Sequence, residues 1–249
     1  MPMAAVEGSG TGLVTAVSTA VAPLGLNLVG AVSIAAYDAG LAPQQPSLAA
    51  LAPDAHSVLV LGHGGGAFWT GFAAHVSADP ARPDPLDAYT RAAIGTALAD
   101  CLPASSRLIF PFEFPTVPVS FQRLAVLAGL GSPSLLGVLV HPEFGPWIAL
   151  RAAVLVPIWV TAPAPAAGFD PCPTCVERAC IASCPAGAVT SAGWNIPACA
   201  AHRARPDDPC AVGCHARIDC VIGRAHRYPA AAQVHHQAYV RPGLLAVAR

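Results

Sequence analysis

The chain has 249 residues, enough for one large domain or a domain plus a smaller module, and 54% of them are apolar. Only 11% are charged: 13 basic residues, every one an arginine, stand against 14 acidic ones for a net charge of -1. That balance argues against a nucleic-acid partner, which would call for a broad basic surface.

In chain order, GSGTG (8–12) lacks a preceding strand and the G-x-G-x-x-G spacing, so it is no dinucleotide signal. Residues 12–37 are apolar enough to resemble a membrane span, which needs about 20 residues in one helix. Pro23, Gly25 and Asn27 interrupt the run, and the pattern predicts a helix to about Ala22, a turn, then a strand through Ile34. No basic stretch precedes it, so no secretory signal is read; the expectation is a soluble, cytoplasmic protein with no membrane contact.

SVLVLGHG (57–64) predicts a buried strand running into glycines. GHGGG (62–66) resembles the oxyanion turn of esterases, but the chain has no G-x-S-x-G elbow and the hydrolase reading fails. Gly62, Gly64, Gly65 and Gly66 keep two readings: close backbone approach to a cofactor, or a tight structural turn. PLDAYTRAAIGTALADCL (85–102) predicts a helix, with Asp87 near its start as a cap and Cys101 as a small buried apolar residue. RLIFPFEF (107–114) predicts a strand limited by Pro111, and FQRLAVLAGLG (121–131) a helix closed by Gly129 or Gly131. SLLGVLVHPEFGPWIALRAAVLV (134–156) predicts two strands around a His-Pro-Glu-Phe-Gly turn. This alternation favours a layered α/β or α+β domain.

A Pro- and Ala-rich connection (160–171) follows, and the composition then turns to Cys, His, Arg and Pro. The expected division is 1–165, an apolar α/β domain, and 166–249, a cysteine-rich domain. The second piece has too few large apolar residues for a core of its own, so a metal centre would supply the missing staple.

Eight of the nine cysteines lie between 172 and 220. Without a secretion signal, such a cluster points to metal ligands rather than disulfides. Cys172, Cys175, Cys180 and Cys184 follow C-x2-C-x4-C-x3-C-P, close to the C-x2-C-x2-C-x3-C-P run that bacterial ferredoxins use for [4Fe–4S] clusters. A looser second set is Cys199, Cys210, Cys214 and Cys220, where CVIGRA echoes CPAGA. In two-cluster ferredoxins the fourth cysteine of a run serves the other cluster. By that logic Cys172, Cys175 and Cys180 pair with Cys220, and Cys184 with Cys199, Cys210 and Cys214. One cluster with spare cysteines and two all-cysteine zinc sites stay open as alternatives. His202, His215, His226, His235 and His236 are not read as ligands. Arg217, Arg224 and Arg227 are read either as lining a cluster or docking surface or as ordinary solvated charges.

FQRLAVLAGLG, the later FGPW (144–147) and the cysteine run ending CPAGA together resemble the epoxyqueuosine reductase family. The matching positions are Arg123, Ala125, Ala128 to Gly131, Phe144, Gly145 and Trp147. The resemblance implies an α+β fold: a layered, nitroreductase-like domain of cobalamin-binding type, followed by a ferredoxin-like module with two [4Fe–4S] clusters. It implies electron transfer through those clusters to cobalamin or another acceptor, and makes Asp87, two residues before Tyr89, the nearest counterpart of the family's catalytic aspartate. The chain departs from the family in the x4 gap, in SPSLLG (132–137) where the family carries a polar, basic stretch, and in Val221 where the family has proline. The reading is therefore a divergent iron–sulfur electron-transfer protein, an oxidoreductase if an enzyme at all, serving a redox partner protein or a small-molecule acceptor. A cobalamin-dependent reductase or corrinoid-processing protein, with a large apolar pocket between its halves, and a zinc-stapled interaction module are the alternatives.

Overall fold

The computed structural model describes residues 10–78, 83–114, 116–160 and 168–247. The fold is α+β and divides into two units. Unit one comprises Met1–His63, Thr70–Leu130 and Ala149–Ala167; unit two comprises Gly64–Trp69, Gly131–Ile148 and Gly168–Arg249. The expected boundary at 165/166 and most of the Pro/Ala connection lie outside the described residues. Among the described residues no helix is long and apolar enough to cross a membrane.

The strands are β1 Leu28–Ser33, β2 Ser57–Gly64, β3 Arg107–Ile109, β4 Ser132–Pro133, β5 Leu139–Val140, β6 Ile148–Val156, β7 Val189–Thr190 and β8 Gly193–Trp194. The main sheet has the order β1-β2-β6-β3. β1 lies antiparallel to β2 with Leu28 opposite Gly62, and β3 antiparallel to β6 with Arg107 opposite Leu155. Burial follows position in the sheet. All eight residues of central β2 are buried, whereas only Ile109 is buried in edge strand β3. A strand covered on both faces needs the unbroken apolar run that β2 has.

The helices of the first 130 residues are α1 Gly10–Val21, α2 Ile34–Asp38, α3 Leu48–Leu51, α4 Ala67–Ala78, α5 Pro85–Leu98 and α6 Phe121–Leu127. α1 buries Leu13, Val17 and Val21, the four-residue spacing of one helical stripe. Ser33, Ser47 and Ser120 cap α2, α3 and α6 by accepting from backbone N–H groups three residues on. The Ser33 cap is why the first strand stops one residue short of Ile34. β3 ends before Pro111, which opens a single 3-10 turn.

Two expectations need correction. Asp87 does not cap α5: Pro85 takes the first helical position, so Asp84 holds the N-cap position, without a side-chain cap bond, and Asp87 sits inside the first turn. The two strands around the His-Pro-Glu-Phe-Gly turn do not form one ladder. β5 pairs with β4, β6 joins the main sheet, and only a His141–Gly145 bridge spans the turn. Pro142 and Pro146 each lack the N–H that a longer ladder would need.

Unit two is built from short pieces. Hairpins β4-β5 and β7-β8 accompany α7 Pro171–Thr174, α8 Ala179–Ala182, α9 Ile196–Arg203, α10 His215–Ile218 and α11 Ala230–Val247. One buried apolar cluster of the unit is Trp147, Tyr228 and Ala232, with Trp69 and Ile218 against them. Polar ties do much of the joining. Arg203, 4% exposed, donates to Asp208 at 3.2 Å and to Gln237 Oε1 at 2.6 Å, fixing α11 to α9. The Arg217 guanidinium donates twice to Pro146 O, at 3.0 and 2.7 Å, and lies over the rings of Trp147 and Tyr228 at 4.7 and 4.9 Å.

Candidate metal centres

All nine cysteines are free thiols. The eight of unit two line two cavities, four to each. Cys172, Cys175, Cys180 and Cys220 line the first, together with Leu135 and Val140. Cys184, Cys199, Cys210 and Cys214 line the second, larger one. Cys101 is half-buried in unit one, its thiol directed at Leu98 O at 3.6 Å.

Local structure accounts for this sorting. Cys172 lies in α7 and Cys180 in α8, and between them Val176 is 96% exposed. Arg178 caps α8 in the left-handed region, φ 42°, and its Nε donates to Cys175 O at 3.4 Å. The two additional residues of the x4 gap are thus taken up by an outward loop, and Cys175 stays at the cavity. After α8 the chain turns at Gly187, φ 58°, three residues beyond Cys184. The same turn recurs at Gly223, φ 71°, three residues beyond Cys220. CPAG and CVIG are therefore one backbone device used twice, each placing its cysteine at the cavity opposite to that of the preceding run.

The turn at Gly223 is also locked from outside. A Cβ on Gly223 would lie 2.2 Å from the Phe144 backbone, and one on Gly145, φ 58°, would lie 2.0 Å from Ile222 O. The Phe144–Gly145 turn and the Ile222–Gly223 turn cross backbone to backbone, which only two glycines permit. His141 closes the first turn by accepting at Nδ1 from the N–H groups of Glu143 and Phe144, at 3.1 and 3.3 Å. Burial lowers the His141 pKa, consistent with a neutral acceptor ring.

In the metal-free chain Cys180, Cys199, Cys210 and Cys220 are pushed toward the protonated form. Burial raises Cys180 and Cys220, with the neighbouring thiols of their set adding to it. Burial pushes Cys210 up to about 11, helped by Cys214 and Asp208. Burial also raises Cys199, opposed by a hydrogen bond from the Trp194 side chain. A metal binding here must displace protons.

The sulfur spacing bears on which metal. A tetrahedral zinc with bonds of about 2.3 Å holds its sulfurs roughly 3.8 Å apart. Among the described residues, the group of three or more His, Cys, Asp or Glu ligand atoms that closes within 4.8 Å is His202, Asp208 and Cys210, not either thiol set. A cubane of four irons and four sulfides holds its thiolates further apart than one ion does. The residues present fit such a cluster in each cavity: four thiols, mostly apolar walls, and no three of these sulfurs within 4.8 Å of one another.

The remaining candidates divide. Gly62, Gly64 and Gly66 are approached by the chain itself: a Cβ there would lie 2.8 Å from Ala149 O, 2.2 Å from the Phe144 ring and 2.9 Å from Pro229. Gly65 supplies a left-handed φ of 71°. These glycines serve a tight, packed turn rather than an open ligand cradle. In unit one, burial and the nearby Asp84 charge raise the Asp87 pKa, while Arg151 and Arg91 lower it. Arg151 donates to Nε2 of His63, 2% exposed, at 3.0 Å, so that nitrogen carries no proton. Arg151 thus bonds His63 while its charge acts on Asp87, a relation that sequence reading did not assemble, because Arg151 and His63 look like ordinary strand residues. Arg227 donates to Ile218 O at 3.0 and 2.6 Å and Arg224 lies 3.6 Å from Glu177, so these arginines are partnered within the unit.

The fold is shared with epoxyqueuosine reductases. The Bacillus subtilis structure matches 87% of this chain and 66% of its own, with a TM-score of 0.57 at 15% identity. The Streptococcus thermophilus structure matches 86% of this chain and 66% of its own, with a TM-score of 0.54 at 10% identity. A catabolic reductive dehalogenase matches 93% of this chain and 34% of its own, with a TM-score of 0.50 at 15% identity. The chain thus spans just under two thirds of the length of the reductases it resembles. No family model matches it, and no curated protein matches it by sequence.

Proposed function

We propose that unit two holds two [4Fe–4S] clusters, one on Cys172, Cys175, Cys180 and Cys220, the other on Cys184, Cys199, Cys210 and Cys214, and that the chain is an electron-transfer protein of reductase type. The observation that carries this is the partition of eight thiols into two cavities, four to each, by two matching left-handed glycine turns. Such clusters supply one-electron transfer at a potential set by burial and by hydrogen bonds to sulfur. The chain's own residues hold the thiolates apart, exclude water with Leu135, Val140, Val189 and Leu244, and fix the Cys220 loop through Gly145. The shared reductase fold supports an acceptor on the chain itself, with Asp87 as the group that exchanges a proton there. A corrinoid as that acceptor is the second reading, which the same fold likeness favours.

Anaerobic purification with iron, sulfide and zinc counts, followed by paramagnetic resonance of the reduced protein, tests the proposal. About eight irons and eight sulfides per chain are expected; zinc without sulfide would falsify it. Added cobalamin giving no spectral shift removes the corrinoid reading alone.

A further inference from the structure

The two thiol sets differ in what faces them. The polar side chain among the residues lining the first cavity, apart from the thiols, is Arg178, whose Nε is engaged with Cys175 O. The second cavity is lined by six nitrogen-bearing side chains, Trp194, His202, Arg203, His215, Arg217 and Gln237, of which Arg203 is bonded to Asp208, His215 to Pro209 O and Arg217 to Pro146 O. The Trp194 side chain hydrogen-bonds to the Cys199 thiol, and since an indole only donates, Nε1–H is the donor and sulfur the acceptor. The ring is fixed in place by Gly137, φ 74°, where a Cβ would lie 2.4 Å from Trp194 Cε3. A ring nitrogen of His202 lies within 4.8 Å of the Cys210 sulfur, and His202 Nε2 is buried with no hydrogen-bond partner. A buried polar nitrogen without a partner is costly, and an acceptor bound in the cavity would relieve it.

We propose that Trp194 and His202 are positioning residues that tune the second cluster site, donating N–H groups toward its sulfurs and setting its reduction potential above that of the first site. The inference rests on the two-cluster reading. Its physical basis is that an added electron increases negative charge on the sulfurs, so each N–H donated to them stabilises the reduced form more than the oxidised one. In the first cavity the polar lining residue, Arg178, turns its Nε to a backbone carbonyl, Cys175 O, instead.

The test is a potentiometric titration of the full, anaerobically prepared chain followed by paramagnetic resonance. Wild type is expected to give two resolved transitions. Trp194→Phe keeps a ring against Gly137 and removes the donor. It should shift the higher-potential transition downward by about tenfold in the reduced-to-oxidised ratio at fixed potential, about 59 mV for one electron, and leave the lower one in place. His202→Leu provides a second, independent loss of a donor, with the same direction expected. Cys180→Ser identifies the transition of the first site, which must be the lower one. Loaded clusters whose transitions ignore both substitutions, or move together, overturn this inference alone. A wild-type protein without iron and sulfide overturns the cluster reading and this inference with it.

Discussion

Cys180 and Cys184 are four residues apart and line different cavities, while Cys180 and Cys220, forty residues apart, line the same one. The intervening Ser183 reinforces the division, since its hydroxyl donates to Ala179 O at 2.8 Å and also lies 3.4 Å from His215 O at the start of α10. Proximity along the chain is therefore a poor guide to which thiols act together.

The crossed sets predict a pattern of paired losses. Cys180→Ala and Cys220→Ala should each abolish the same resonance signal and about half of the iron. Cys184→Ala and Cys214→Ala should abolish the other. Iron counts and spectra of the four variants check this; Cys180→Ala and Cys184→Ala behaving as one pair would contradict it.

The crossing of the Gly145 and Gly223 turns predicts two sensitive positions outside the cysteines. Gly145→Ala must accept a left-handed φ and a contact of 2.0 Å with Ile222 O. Strain of this kind costs about 1–3 kcal/mol, and the Cys220 loop would move to relieve it. The expected result is a lower melting temperature and preferential loss of the first cluster, read by iron content. Gly187→Ala meets no atom within 4 Å and carries only the backbone strain, so its loss should be smaller.

Arg217 joins Pro146, Trp147 and Tyr228 through a planar fork. Lysine cannot reproduce two parallel donations and ring stacking together. Arg217→Lys should destabilise unit two by about 1–3 kcal/mol, measured by denaturant unfolding of the metal-free chain.

The Cys210 pKa of about 11 gives the metal-free chain an alkaline weakness. A raised folded value means the native state keeps its proton while the unfolded thiol, near 9.0, has released it. The stabilisation is fully present below pH 9 and is lost as pH rises toward 11. Cys210→Ala should flatten the fall in melting temperature across that range; an unchanged slope would assign the alkaline loss to other groups.

For Asp87 burial is the largest influence and raises its pKa, so the fold favours the neutral form. That contribution is present at low pH and lost as pH rises through the folded value. Asp87→Asn should therefore be more stable than wild type at pH 7 and close to it at pH 3. If Asp87 exchanges the proton at the acceptor, the same variant loses reductase turnover, a gain in stability with a loss of function.

Much of the fold was legible because its signals are local. The α1–β1 break at Pro23 and Gly25, the unbroken apolar β2 and the stop at Pro111 each rest on a few adjacent residues. The division of the thiols between two cavities follows the spacing of C-x3-C-P and the echo CPAG/CVIG. Other features depend on the tertiary fold. The split of β5 from β6 depends on which sheet each strand joins, and the bond of Arg151 to His63 spans 88 residues. Trp194 had no signal at all; a tryptophan in a two-residue strand becomes a thiol partner only once Gly137 and Cys199 are placed around it.

Anomalous diffraction at the iron edge from crystals of the anaerobic protein tests the central claim most directly. Two iron centres are expected, one bounded by Cys172, Cys175, Cys180 and Cys220 and the other by Cys184, Cys199, Cys210 and Cys214. A single centre on Cys172, Cys175, Cys180 and Cys184, or anomalous signal at the zinc edge alone, would contradict it.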